Sequence, residues 1–149
     1  MNVSYYSGTD ALPFVDECAA IHNAAFSVSG ARGWTADEIE SLFKRETTFL
    51  LKTSHGFLLA DLIIDEVEIL TVAVLPDHQG RKIGRTLMTK FDDICACRKV
   101  NKLMLEVAID NISAIRLYKA FNFQQITIRE RYFKRVNGSV DAVIMTKIC

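Results

Sequence analysis

The sequence has no excess of charge of either sign. Its 18 Lys and Arg residues cancel its 18 Asp and Glu residues, and the strong positive surplus that non-specific binding to nucleic acid or to an anionic membrane surface requires is absent. No nucleic-acid or membrane partner is therefore expected, and recruiting a charged ligand falls to local charge. Long apolar runs are missing too: none approaches the roughly 20 residues needed to cross a bilayer. The start of the chain shows no basic segment followed by an apolar one, so a cytoplasmic protein is expected. Cys18, Cys95, Cys97 and Cys149 lack the paired C-x-x-C spacing of a zinc site, and His22, His55 and His78 are scattered, so no metal centre is supported. The cysteines read as reduced thiols. Internal repeats and low-complexity tracts are absent. What remains is 149 residues, 50% of them hydrophobic, enough for one domain over 1–149 with a sizeable core and too few to split comfortably into two.

The most informative stretch runs from Glu66 to Phe123. An uncharged run rich in β-branched residues, Ile69 to Leu75, reads as a strand buried on both faces. It enters the turn Gln79-Gly-Arg-Lys-Ile-Gly84, beyond which Leu87, Met88, Phe91, Ile94 and Cys95 recur at helical spacing. The turn thus lies where a helix begins, where free backbone N–H groups and the positive end of the helix dipole converge and Arg81, Lys82 and Arg85 add cations. A diphosphate finds both geometry and charge there. Taken alone, two glycines near a helix start are more often a turn with solvated charges, and the context decides.

That context is a regular alternation of elements. A strand near Val3 to Tyr6 leads to Asp10 as an N-cap, with Pro13 early in a helix that buries Phe14, Cys18 and Ile21. Thr35 and Glu38 have capping-box spacing and start a second helix carrying Ile39, Leu42 and Phe43, with Ser27 to Trp34 a glycine-bearing loop between the two. Thr48 to Leu51 and Phe57 to Ile64 read as strands, with Asp65-Glu66 as the turn into the apolar strand. Leu103 to Val107 is a strand, Asp110 or Asn111 caps a helix reaching Phe121, and Phe123 to Arg131 and Val140 to Lys147 are the last strands. The strand-helix-strand crossover from Ile69 to Val107 requires parallel neighbours. The fold class is α/β, a mixed sheet with helices on both faces.

Two residues in this stretch carry chemistry. Glu106 is a carboxylate inside the apolar run Leu103 to Val107, which suits a cavity or a partner cation, or else the polar face of a half-exposed strand. Tyr118 is either a core tyrosine packed with Ile115 and Phe121 or a proton donor.

The strand, the basic turn, Leu103 to Val107 and Asn111 to Tyr118 together resemble the GNAT superfamily of acyl-CoA-dependent N-acetyltransferases, and within it the ribosomal-protein alanine N-acetyltransferases. The resemblance covers Asp65 to Phe123 well, extends loosely through Arg131 to Phe133 and Asp141 to Met145, and before Asp65 thins to Trp34-Thr35. It implies a mixed, mostly antiparallel sheet of six to seven strands with about four helices. It implies acetyl-CoA as donor and direct transfer, in a ternary complex, of an acetyl group to a primary amine. The expected acceptor is the N-terminal α-amine of a protein, a ribosomal protein among the candidates. A small-molecule amine, or non-catalytic acyl-CoA binding, are the competing readings.

By the same resemblance Glu106 is the general base, with a pKa raised by an apolar pocket, and Tyr118 the acid that protonates the coenzyme A thiolate. Gln79, Gly80, Arg81, Lys82, Ile83, Gly84 and Arg85 surround the diphosphate. Val72, Ala73 and Val74 offer main-chain groups to the pantetheine arm and thioester, and Asn111 is both helix cap and cofactor contact. Phe26, Trp34 and Tyr132 line the acceptor groove, and Glu68 with Asp65 draws a cationic amine toward it. The acceptor choice has a physical basis. An α-amine with pKa near 8 is already roughly a tenth neutral at pH 7, whereas a lysine amine near 10.4 is neutral in less than about one part in a thousand. A carboxylate acting through water suffices for the former, which is compatible with a protein N-terminal amine and leaves a lysine or a small amine open.

The sequence departs from the family pattern twice. Lys82 stands at a position of the turn where the family has glycine, which either hinders backbone approach to the pyrophosphate or adds a charge-assisted contact. Asn122 stands before Phe123 where glycine is usual, a mild change because asparagine tolerates the left-handed conformation.

Overall fold

The computed structural model describes residues 2–149. Their elements, in order, are β1 (Ser4–Ser7), α1 (Val15–Ser27), α2 (Ala36–Phe43), β2 (Thr48–Lys52), β3 (Gly56–Ile63), β4 (Glu66–Val74), α3 (Ile83–Cys97), β5 (Lys102–Ala108), α4 (Ile112–Ala120), β6 (Gln124–Arg135) and β7 (Gly138–Ile148). The strands form one sheet in the order β1-β2-β3-β4-β5-β7-β6. Only β4 and β5 run parallel, joined by the crossover through α3, and every other pairing is antiparallel. This is the mixed, mostly antiparallel sheet expected from the sequence.

Each face of the sheet carries two helices because each has its own apolar stripe. Leu87, Met88, Phe91 and Cys95 of α3, with Tyr118 of α4, pack on Leu58, Leu103 and Leu105. Cys18 and Ile21 of α1, with Ile39 and Phe43 of α2, pack on Leu50, Phe57 and Leu59 across the sheet. The capping box of α2 forms: Thr35 Oγ1 accepts the Glu38 N–H at 3.2 Å, and the Glu38 carboxylate accepts the Thr35 N–H at 3.1 Å. Burial pushes the thiols of Cys18 and Cys95 up to about 12, so both stay protonated and inert.

Three local expectations need correction. Asp10 caps no α-helix: Gly8–Phe14 is a 3-10 turn containing both Asp10 and Pro13, and α1 starts only at Val15. Phe14 accordingly sits half-buried ahead of the helix. The β3–β4 turn is Ile64-Asp65, since Glu66 already pairs with Ile63, and Ile64 takes the left-handed conformation (φ 62°) with 93% of its surface exposed. The last hairpin is longer than expected because β6 and β7 continue to a turn at Val136-Asn137 closed by Gly138 at φ 131°.

One irregularity positions everything that follows. Opposite β3, Leu59 pairs with Thr71 but Ala60 pairs with Ile69, so Leu70 is an extra residue and β4 bulges there. The bulge reverses the strand's phase: Val67 and Ile69 face α3, whereas beyond it Val72 and Val74 do, leaving Thr71 and Ala73 turned toward α1 and α2. Pairing of β4 with β5 ends at Ile69 and Leu105. Past that point the parallel strands splay into a fork.

Candidate active site

The fork opens into two cavities, of about 530 Å³ and about 380 Å³, one on each side of the sheet's interruption. Val72 on one arm, Asn111 at the start of α4, Tyr118 within α4 and Phe26 of α1 line both. The cavities therefore meet at the fork, with Tyr118 at the junction.

The first cavity is walled by the turn and by the end of β4: Val72, Ala73, Val74, Gln79, Gly80, Lys82, Ile83, Gly84 and Arg85 all line it, whereas Arg81 does not. Gln79 holds the turn to the strand by donating from Nε2 to the Val74 carbonyl at 3.2 Å. Gly80 lies at φ 79° and Lys82 at φ 65°, so a lysine occupies a left-handed position that costs about 1–2 kcal/mol relative to an ordinary backbone angle. Lys82 precedes α3 and gives it no side-chain cap, and the first turn holds no acidic residue. Among the described residues, the N–H groups of Ile83, Gly84 and Arg85 find no protein acceptor. They, and the positive helix end, are free for an anion. Gly84 has a separate role: a Cβ there would lie 3.1 Å from Leu117 Cδ2, so the absent side chain lets α3 and α4 approach.

Asn111 caps α4, its Oδ1 accepting the Ala114 N–H at 3.2 Å, which leaves its Nδ2 available to the cavity. Tyr118 is 5% exposed. Burial alone drives its phenol above the usual tyrosine range, so it remains a proton donor throughout the physiological span. Its neighbour Asn122 adopts φ 71°, the left-handed angle glycine would otherwise supply at the end of α4.

The second cavity is built from side chains. Phe26, Trp34, Glu106 and Tyr132 all line it. Glu106 points away from the buried Leu103-Leu105-Val107 face, and its carboxylate lies 3.4 Å from the guanidinium of Arg129, so the strand's one carboxylate meets a cation as well as apolar walls. Arg129 also stands over the Tyr132 ring at 5.1 Å. Tyr132 reaches the cleft because β6 detours: Arg129 pairs with Ala142 and Phe133 with Val140, and the Arg131 N–H at the detour is held by Asp141 Oδ1 at 2.9 Å. The Glu106 carboxylate beside it lifts the Tyr132 phenol above its ordinary range.

Glu68 lines neither cavity. It lies below the fork, where burial, then the charges of Glu106 and Asp61, raise its pKa. Asp65 sits at the opposite end of β4, bonded to Asn101.

Sequence reading missed three residues of this region. His22 is 3% exposed, stacked between Phe26 and Trp34 with centroids at 4.3 and 4.5 Å, and burial lowers its pKa to about 4. Its spacing of four from Phe26 places both on one helix face, a signal too common to single out a histidine. Thr71 bonds to His22 and sits behind the bulge, for which the sequence carries no mark. Arg129 was one charge among several on an edge strand.

The arrangement can hold a polyanion at the start of α3, pass a narrow arm between β4 and α4, and bring a reacting atom beneath Tyr118 with Glu106 across the fork. Comparisons with known proteins agree with this architecture. The chain is 37% identical over 90 residues to the ribosomal protein bS18-alanine N-acetyltransferase of Escherichia coli strain K12, a match covering 60% of this chain and 61% of that protein. It is 39% identical over 82 residues to the N-alpha-acetyltransferase RimI of Mycobacterium tuberculosis, covering 55% and 49% respectively. These matches thus span about three fifths or less of the relatives' lengths. The crystal structure of the ribosomal-protein-S18-alanine N-acetyltransferase from Escherichia coli superposes with a TM-score of 0.82 at 29% identity, covering 99% of this chain and 94% of that one. The profile of the Acetyltransferase (GNAT) family matches residues 16–123, well over half of the sequence. This chain belongs to the GNAT acetyltransferase family.

Proposed function

We propose that the protein is an acetyl-CoA-dependent N-acetyltransferase, built as a single domain over residues 1–149, that acetylates the N-terminal α-amine of a protein. A ribosomal protein is the favoured acceptor, in line with the relatives' names, and the cytoplasm the favoured setting, where four free thiols stay reduced. The observation that carries the reading is the fork itself, where a cavity suited to a phosphorylated donor meets a second cavity holding a carboxylate, with a buried, protonated tyrosine between them.

Acetyl-CoA supplies the acetyl group as a thioester. The residues present suit it: the unpartnered N–H groups of Ile83, Gly84 and Arg85 with the side chains of Lys82 and Arg85 bind the diphosphate, and Arg81 acts only from the rim. The Val72 to Val74 arm, unpaired on its β5 side, and Asn111 Nδ2 hold the pantetheine amides. The acceptor enters past Phe26, Trp34 and Tyr132. Glu106 removes a proton from the amine, directly or through water, with the Arg129 guanidinium 3.4 Å from its carboxylate. The new C–N bond forms as the C–S bond breaks, and the Tyr118 hydroxyl gives its proton to the departing sulfur. Glu68, outside both cavities, adds negative potential beneath the amine.

Steady-state transfer from acetyl-CoA to peptides with a free N-terminal alanine tests the reading. Glu106→Gln and Tyr118→Phe should each lower kcat by roughly 10²–10⁴-fold with folding intact. Wild-type protein that binds acetyl-CoA without turning it over on any amine would make it a binding module instead.

A further inference from the structure

The tautomer of His22 is set by its surroundings. The main-chain N–H of Trp34 donates to Nδ1 at 3.1 Å, so that nitrogen carries the lone pair and the neutral ring bears its proton on Nε2. Nε2 lies 3.2 Å from Thr71 Oγ1, so the ring donates and the hydroxyl oxygen accepts. Buried threonines commonly satisfy their hydroxyl on a nearby carbonyl. Thr71 does not: among the described residues His22 is its side chain's one partner, and a second lone pair and the hydroxyl proton stay unused although the residue is only 7% exposed. It lines the second cavity immediately before Val72, a residue shared with the first, and faces the same side of the sheet as Glu106 on the other arm.

A buried hydroxyl held off the backbone at the wall of a cleft keeps its free proton and lone pair for whatever fills that cleft. We infer that Thr71 binds the acceptor nitrogen, its Oγ1 accepting one amine N–H, and that His22 is the positioning residue that fixes the hydroxyl for this task. The inference rests on the transferase reading and deepens it. A neutral primary amine has two N–H bonds and one lone pair. With one N–H on Thr71 and the other toward Glu106, the lone pair is left facing the fork, where the acyl carbon arrives. A secondary amine has only one N–H and cannot satisfy both partners. The site therefore discriminates between primary and N-methylated N-termini through Thr71.

The test compares a hexapeptide starting with alanine and the same peptide starting with N-methylalanine, at saturating acetyl-CoA. Thr71→Val should lower kcat/KM for the primary amine about tenfold, shrink the primary-to-methylated ratio by a similar factor, and leave the KM for acetyl-CoA within twofold. Thr71→Ser should restore both values. His22→Gln, which can donate from a matching position, should behave like wild type, and His22→Leu like Thr71→Val. The single tryptophan, Trp34, stacks on His22, so its fluorescence reports peptide binding without turnover. By that readout Thr71→Val should weaken the alanine peptide selectively. Active wild-type enzyme with a Thr71→Val variant unchanged in kcat/KM, in the amine ratio and in peptide binding would overturn the inference and leave the transferase reading intact. A wild type that neither acetylates nor binds either peptide would overturn both.

Discussion

The two cavities are made in different ways. The donor cavity is built around one continuous stretch, the end of β4, the turn and the first turn of α3, which carries unpartnered main-chain N–H groups, and it is closed by α4 and the end of α1. The acceptor cavity is a convergence of side chains from α1, the loop before α2, β4, β5 and β6. A backbone-built site tolerates side-chain change and fails when dihedral angles are disturbed. A side-chain-built site does the reverse, and its specificity can drift without loss of the fold.

The largest effects are expected at the junction. Tyr118→Phe and Glu106→Gln should be the most damaging conservative changes in the molecule, at the roughly 10²–10⁴-fold expected of acid–base groups, while single changes at Arg81 or Arg85 should mainly raise the KM for acetyl-CoA. Equal losses from both classes would erase the distinction. Next in size is a pH effect confined to the acceptor side. His22 titrates near 4 in the fold against an ordinary 6.5. Between those values the unfolded chain holds a proton that the folded one does not, so stability is full above pH 6.5 and is lost as pH falls toward 4, by roughly 3 kcal/mol. Urea unfolding across that range should show the slope, and His22→Gln should flatten it. The smallest effect sits on the donor side. Lys82→Gly relieves a left-handed lysine but frees the unfolded chain, for a net gain of about 0.5–1 kcal/mol in denaturant unfolding. A loss of stability there would mean that the lysine side chain contributes more than its backbone angle costs.

The same contrast explains what the sequence revealed. The donor side was legible because its signals are local: an uncharged strand, a glycine-bearing basic turn and helical periodicity from Leu87 to Cys95 lie within 30 residues. Even there, the left-handed angle at Lys82 went unread, since nothing marks a lysine for φ 65°. On the acceptor side, Glu106 and Trp34 stood out by type, but the bulge at Leu70 that turns Thr71 inward leaves no trace in an apolar run. The β6 detour that delivers Tyr132 depends on Asp141, ten residues away, taking the Arg131 N–H. Asp65 was grouped with Glu68 by proximity in sequence, and strand direction puts it at the far end of the sheet. Ile64 at a left-handed turn position, and Asp10 inside a 3-10 turn, show local preference yielding to strand register and to Pro13.

In the proposed reaction donor and acceptor meet at the fork between β4 and β5, and a crystal structure with coenzyme A covalently joined through an acetyl bridge to an alanine-starting peptide would show whether they do. The diphosphate is expected on the N–H groups of Ile83 to Arg85, the pantetheine along Val72 to Val74, the sulfur beside Tyr118 and the peptide nitrogen between Thr71 and Glu106. A conjugate whose diphosphate lies away from α3, or whose peptide leaves the fork without approaching Glu106, would contradict it.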